Sequence, residues 1–374
     1  MRRAATAPKL AVRLRSKGDV KETDRQAHPT FILIGMSPRL RGGALCGLLG
    51  MGVLCGCQGS GEVPDTGPGS WTAAGALPIA RFEAIAVVLA GRIYYMGGIT
   101  GTFGDQSSAR ESDRVDVYDP LTATWAAGPS LPAGGPRHHL AAAVEDDKIY
   151  LLGGFVGILG GADVAGVFTP NAKSYVLDGG QWRALADQPV ARGAATAQAI
   201  GGAIYVAGGG ITEPDARSDL YAYHPLGDFW TSQAPMTQTR EHVASCTIGK
   251  RMIVVGGWRG KDRSVVAAAE AYDPVADRWQ ALPDMPTARG GLGAAGIGNV
   301  CFVVGGERWD GDLPGTFARN EGFDTVGDAW TRYQPMRSAR HGLGLVAVGD
   351  GLFAIGGGPV RGNSYTTVVE SFRP

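Results

Sequence analysis

Six glycine pairs, each closing a short apolar run, recur along this chain in IYYMGG, IYLLGG, IYVAGG, MIVVGG, CFVVGG and LFAIGG, with first glycines at 97, 153, 208, 256, 305 and 356. The spacings of 56, 55, 48, 49 and 51 residues are those of one supersecondary unit repeated until its neighbours bury its faces. Sixteen residues before each pair stands an arginine: Arg81, Arg137, Arg192, Arg240, Arg289 and Arg340. A tryptophan lies ten residues before five of these arginines, at Trp71, Trp182, Trp230, Trp279 and Trp330, and twelve before Arg137, at Trp125. From Trp125 onward an aromatic precedes each tryptophan by seven residues: Tyr118, Tyr175, Tyr223, Tyr272 and Phe323.

The landmarks define a physical unit. Each arginine is followed by a run of small residues such as LAAAV or VASCTI, a two-residue turn, and an apolar strand ending at the glycine pair. Several turns are Gly-X, which suits a tight hairpin whose first position needs positive φ. Small residues suit strands crowded round an axis, and Trp and Tyr fill the wider space further out. With 59 glycines and 22 prolines and no collagen-type period, short strands and turns are expected throughout. The last unit ends in VVESFRP, where Phe372 aligns with Tyr118 and the matching tryptophan would fall beyond Pro374. Trp71 has no such segment ahead of it, so the two fragments are expected to complete one sheet between them.

In register, the diglycines, tyrosines and tryptophans over residues 71–374 resemble the kelch family. That resemblance implies an all-β fold: a six-bladed kelch β-propeller, its ring closed by a strand around Trp71 that completes the last blade. GLGAAG at Gly291 to Gly296 fits a dinucleotide fingerprint only by letter, since it starts an inner strand and opens no helix. Cys246 and Cys301 fall on apolar strands of different repeats and read as buried small hydrophobes, with two free thiols favoured over the disulfide that an exported protein would also allow.

Residues 1–57 read as an N-terminal extension and export signal. From Met36, the favoured start, two arginines precede an uncharged stretch from Gly43 to Leu54, too short for a typical spanning helix. Leu54-Cys55-Gly56-Cys57 resembles the lipobox of bacterial lipoproteins, which implies a lipid on Cys57 and a membrane-anchored place in the cell envelope. Residues 58–70, rich in Gly, Pro and Ser, form a flexible linker whose ends lie about 20 Å apart. The formal net charge is zero, but residues 58–374 carry 25 basic and 32 acidic side chains, a net −7 that argues against nucleic acid as partner.

Arginine and Gly-Gly mark the same end of the unit, so one face carries the long loops that follow each glycine pair, and that is where binding groups are expected. The six arginines themselves either ring a ligand carboxylate or do a structural job common to every blade, such as bonding carbonyls between blades. The structural reading is favoured, since functional residues should break the repeat. Those that break it are His138 and the ligand-binding candidates Glu83, His139, Glu241, His242 and His341 after the arginines, with Trp258, Arg259, Glu307 and Trp309 after the glycines. An exposed Trp with neighbouring Arg and Glu would stack on a sugar ring and bond its hydroxyls. No ligand spacing supports a metal at His139, His242 and His341, and no cofactor is expected.

Two functional classes follow. The first is a lipid-anchored module binding a protein or a glycan through the loop face. The second is a carbohydrate enzyme resembling the six-bladed N-acetylneuraminate epimerases, in which His and Glu shuttle protons and arginines hold the carboxylate. The first is preferred: the chain has no Gly-x-Ser-x-Gly elbow and no tyrosine–cysteine constellation of the galactose oxidase kind.

Overall fold

The computed structural model describes residues 67–374 apart from 103–104, 133–134, 136, 158–167, 211–214, 261–263 and 310–314. The signal, Cys57 and residues 58–66 of the linker lie outside these residues. Those described form strands and turns and no helix.

Six antiparallel four-stranded sheets follow one another. The first comprises Ile85–Leu89, Arg92–Met96, Val115–Asp119 and Thr124–Ala127, and the next four repeat that order. The sixth takes Gly344–Val348, Gly351–Ile355 and Val368–Arg373 from the end of the chain and its fourth strand, Ser70–Ala76, from the beginning. Trp71 pairs with Phe372 in register, as Trp125 pairs with Tyr118 and Trp330 with Phe323. Among the described residues Ser70 is already in the strand, and the Pro68 carbonyl accepts a hydrogen bond from the Gln334 amide.

Small residues sit where first strands of adjacent sheets touch. A Cβ on Gly293 would lie 2.5 Å from Leu345 Cβ, and one on Gly344 would lie 2.7 Å from Ala86 Cβ. First strands of successive sheets are in contact, and Gly344–Val348 of the sixth contacts Ile85–Leu89 of the first. Further out, tryptophans knit neighbours together: the indole N–H groups of Trp182, Trp230, Trp279 and Trp330 donate to carbonyls of Pro129, Ala186, Ala234 and Pro283 in the preceding repeat. Trp71 does the same to Gln334 of the fifth sheet's repeat at 2.8 Å.

The diglycine has a specific job. Both members adopt positive φ in all six pairs. The second glycine's N–H donates to the carbonyl of the following repeat's arginine at 2.8 or 2.9 Å, from Gly98 to Arg137 through to Gly357 back to Arg81. A Cβ on the first glycine would lie 2.5–2.7 Å from that same carbonyl, so a side chain there would displace the bond.

The arginines are consumed internally. All six are buried, and each donates to the carbonyl of the first glycine of its own repeat, not of a neighbouring one. Five also meet a buried or half-buried carboxylate: Asp116, Asp219, Glu270, Glu321 and Glu370. Arg137 instead lies 4.9 Å from the centre of the Tyr175 ring. Tyr175 is thus not the counterpart of Tyr118. The hairpin of the second sheet pairs Leu177 with Trp182, two residues tighter than Tyr118 with Trp125, and Tyr175 falls where four other repeats place the carboxylate; the third repeat likewise has a tyrosine there, Tyr221 against Arg192, with its carboxylate two residues earlier at Asp219.

Cys246 and Cys301 form a disulfide, contrary to the free thiols expected. Cys246 is on the first strand of the fourth sheet and Cys301 on the second strand of the fifth. The contact between these sheets brings their Cα atoms to 6.0 Å, inside the range a disulfide spans.

Candidate functional site

The residue after each arginine forms a two-way bridge with the residue after the glycine pair, giving a short ribbon on one face of every repeat: Phe82 with Ile99, His138 with Phe155, Gly193 with Gly210, Glu241 with Trp258, Gly290 with Glu307, His341 with Gly358. The next residue turns. Glu83, His139, Ala194, His242, Gly291 and Gly342 all have φ between 50° and 61°. Their amides make a closed cycle: Glu83 N–H donates to the Gly342 carbonyl, Gly342 to Gly291, Gly291 to His242, His242 to Ala194, Ala194 to His139, and His139 to Glu83, each at 2.8–3.0 Å. These six positions rim a cavity of about 390 Å³ lined by the first strands.

The backbone is the same at all six positions, and chemistry enters at three. Ala194, Gly291 and Gly342 present no functional group, whereas Glu83, His139 and His242 turn theirs to a common point, with one ligand-type atom from each lying within 4.8 Å of the others. His139 Nε2 is 3.3 Å from Glu83 Oε2. The His139 and His242 rings meet edge to face at 4.8 Å, and the Trp258 ring packs on His242 at 4.1 Å. Gly342 makes room: a Cβ there would stand 2.5 Å from Glu83 Oε1.

Behind His139 stands His138, fully buried, its Nδ1 in short contact with His139 Nδ1 and its Nε2 3.0 Å from the Gly157 carbonyl. Burial pushes the His138 pKa down to about 4, only partly offset by its bond to Gly157. It is therefore neutral near pH 7.

The remaining candidates fall elsewhere. His341 is buried, its Nδ1 3.1 Å from the Gly358 carbonyl and 3.7 Å from Glu307 Oε2, and burial lowers its pKa to about 4. Glu241 and Glu307 are buried in the ribbons. Trp258, expected to be an exposed stacking surface, is 3% exposed and spends its face on His242. Arg259 is exposed, and Trp309 is 37% exposed with the Arg361 guanidinium 5.1 Å over its ring. Sequence reasoning gathered the positions after the arginines as one group; what separates them is parity. The first is locked in a ribbon, the second faces the cavity.

The cavity wall below the rim is mostly apolar and small. Its polar exception joins the third and fourth sheets: Thr196 Oγ1 lies 2.5 Å from Ser245 Oγ, Gln198 Nε2 donates to the Ser245 carbonyl at 2.9 Å, and Thr247 Oγ1 donates to Gln198 Oε1 at 2.9 Å.

A family model described as Kelch motif matches residues 80–132, 191–237 and 239–286. Kelch-like protein terF of Aspergillus terreus is 27% identical over 82% of this chain and 56% of its own length. Kelch-like protein 25 of Xenopus tropicalis is 29% identical over 54% of this chain and 33% of its own, and Kelch-like protein 35 of Mus musculus 26% identical over 50% and 29%. The chain thus spans just over half of the first relative and about a third of the other two. Among solved structures, that of YjhT superposes with a TM-score of 0.65 at 15% identity, over 79% of this chain and 95% of that one, a likeness of fold.

Proposed function

We propose that this kelch-repeat protein is an exported interaction module whose six sheets are the blades of one closed ring, and that it holds a protein or a glycan on the face bearing the ribbons. Closure is supported by the bonds that return from the sixth repeat to the first: Gly357 to Arg81, and Glu83 to Gly342. The observation that carries the binding face is the pore rim. Three of six equivalent positions depart from small residues, and all three departures converge. Export is supported by the disulfide, since such bonds persist in oxidising compartments, and the lipobox-like run before Cys57 supports a lipid anchor in the cell envelope.

Burial of Trp258 leaves Trp309 and Arg259 as the exposed contact groups beside the rim. The full chain, used as bait for cross-linking in envelope extracts and on a glycan array, should retain a partner that an Arg259→Ala/Trp309→Ala variant loses. Equal capture by both proteins would move the site off this face. Fatty-acid labelling that disappears in Cys57→Ser checks the anchor.

One observation favours a catalytic second reading: Glu83, His139 and His242 are proton-transfer groups at a cavity mouth. Its other support is gone, because the repeated arginines are buried and bonded and do not reach a ligand carboxylate. Mutarotation of sialic acid anomers followed by NMR tests it; a rate equal to that in buffer would end the epimerase reading.

A further inference from the structure

We propose that Glu83, His139 and His242 form a binding site for one first-row divalent cation, zinc being the best match. The inference uses the same rim residues as the docking reading but does not rest on it, because metal binding needs no partner.

Geometry comes first. Zinc bonds to imidazole nitrogen and carboxylate oxygen run about 2.0–2.2 Å, which sets neighbouring ligand atoms of a tetrahedron about 3.3–3.5 Å apart. Glu83 Oε2 and His139 Nε2 already stand at 3.3 Å, and a ring nitrogen of His242 completes a set within 4.8 Å. That last separation is the one that exceeds the tetrahedral edge.

The hydrogen bonds then fix which nitrogen of His139 faces the cluster. A carbonyl only accepts, so His138 must carry its proton on Nε2 to bond the Gly157 oxygen. Its Nδ1 is in contact with His139 Nδ1, so the other ring nitrogen of His139, Nε2, is the one that faces Glu83. A ligating histidine whose other nitrogen donates to a buried partner is also how metal sites hold the ring and its tautomer.

The scaffold is suited to the task. The three ligands ride on a closed cycle of backbone bonds, His242 is held by Trp258, and Gly342 leaves space for the carboxylate. Two imidazoles with one carboxylate suit zinc and its first-row neighbours, whereas calcium and magnesium require oxygen-rich shells. Ala194 and Gly291 contribute no ligand, so coordination positions stay open toward the cavity for water or an exogenous oxygen or nitrogen donor.

The test titrates the chelator-treated full chain with zinc by calorimetry and with cobalt by visible spectroscopy. Ala194 occupies the position equivalent to both histidines, so His139→Ala and His242→Ala retain a backbone the fold already tolerates. The expected result is one site with a cobalt spectrum free of thiolate charge-transfer bands, which sets it apart from the signal-region cysteines. Affinity should fall about 100-fold or more in Glu83→Gln and His242→Ala, and about 10-fold in His138→Phe, which acts only through His139. Melting curves of the metal-free variants that match the parent establish that they are folded. Zinc isotherms that superimpose for the parent and both ligand variants overturn the proposal. So does nitrogen NMR showing His139 protonated at both ring nitrogens in a chain that takes up no cobalt, since the contact with Glu83 is then an ion pair.

Discussion

Replacing Trp71 by alanine probes the seam between the two ends of the folded chain. The indole is 7% exposed, packs on Phe372 at a centroid distance of 5.1 Å, and donates to the Gln334 carbonyl at 2.8 Å. Removing a buried tryptophan costs about 3–5 kcal/mol, and roughly 1 kcal/mol of that is the stranded carbonyl. At about 2 °C per kcal/mol for a domain of this size, the calorimetric midpoint should drop by about 8 °C. Trp182→Ala, which breaks the corresponding bond to Pro129 inside the chain, is the control and should cost a similar amount. A Trp71→Ala/Phe372→Ala cycle isolates the ring pair, with a coupling of about 0.5–1.5 kcal/mol. Hydrogen exchange gives the decisive reading: if the sheets form one closed ring, protection falls in the first and fifth sheets as well as the sixth. A midpoint shift below about 2 °C, or lost protection confined to Ser70–Ala76 and Val368–Arg373, refutes the reasoning.

Gly356→Ala, at φ 60° and with its new Cβ 2.7 Å from the Arg81 carbonyl, should lower stability by about 2–3 kcal/mol in urea unfolding; a neutral result would mean that the diglycine bend is replaceable. Cys246→Ala/Cys301→Ala opens a loop of 55 residues and should cost about 4 kcal/mol on chain-entropy grounds, a loss that reductant should reproduce in the parent and leave absent from the variant. The buried His341 binds its proton near pH 4 when folded and near 6.5 when unfolded, so its stabilising contribution is complete above pH 6.5 and is lost as pH falls toward 4. That slope amounts to about 3 kcal/mol, and unfolding curves of His341→Gln across the window should be flatter by that amount. Tyr175→Ala should destabilise the second sheet by about 3 kcal/mol, more than loss of an exposed tyrosine would, because its ring lies against the Arg137 guanidinium.

The repeat and the shared sixth sheet are legible in the sequence because each rests on a backbone requirement recurring every 50 residues or so: positive φ at Gly-Gly, a buried guanidinium at the arginine, an indole reaching to the previous repeat. What escaped were features set by side-chain direction. Tyr175 keeps the seven-residue spacing to Trp182 by coincidence, since a hairpin two residues tighter shifts it onto the carboxylate position. Cys246 and Cys301 lie in the right sheets, but which way two strand residues face across a gap is not written in their spacing. Trp258 looked exposed because it follows a glycine pair, yet its bridge to Glu241 turns it inward onto His242. At the rim, the clue was two residues past the arginine, not one: counting repeat positions separately would have singled out Glu83, His139 and His242, and left Glu241 and His341 to the ribbons.

The cycle of amide bonds at the rim makes this protein's chemistry interchangeable in a particular way. Each of its six members has the same φ region and the same donor and acceptor, and at Glu83, His139, Ala194 and His242 a side chain already sits on it, so exchange among those four asks nothing new of the backbone. The rim behaves as a row of sockets, three filled by Glu83, His139 and His242. Gly342 is not a spare one, because Glu83 already lies across it, whereas Ala194 already carries a Cβ and Gly291 has ordinary clearance but a positive φ that strains any side chain added there. In a fold built this way the groups at the cavity mouth can be rewritten while its sheets, seam and buried arginines stay as they are.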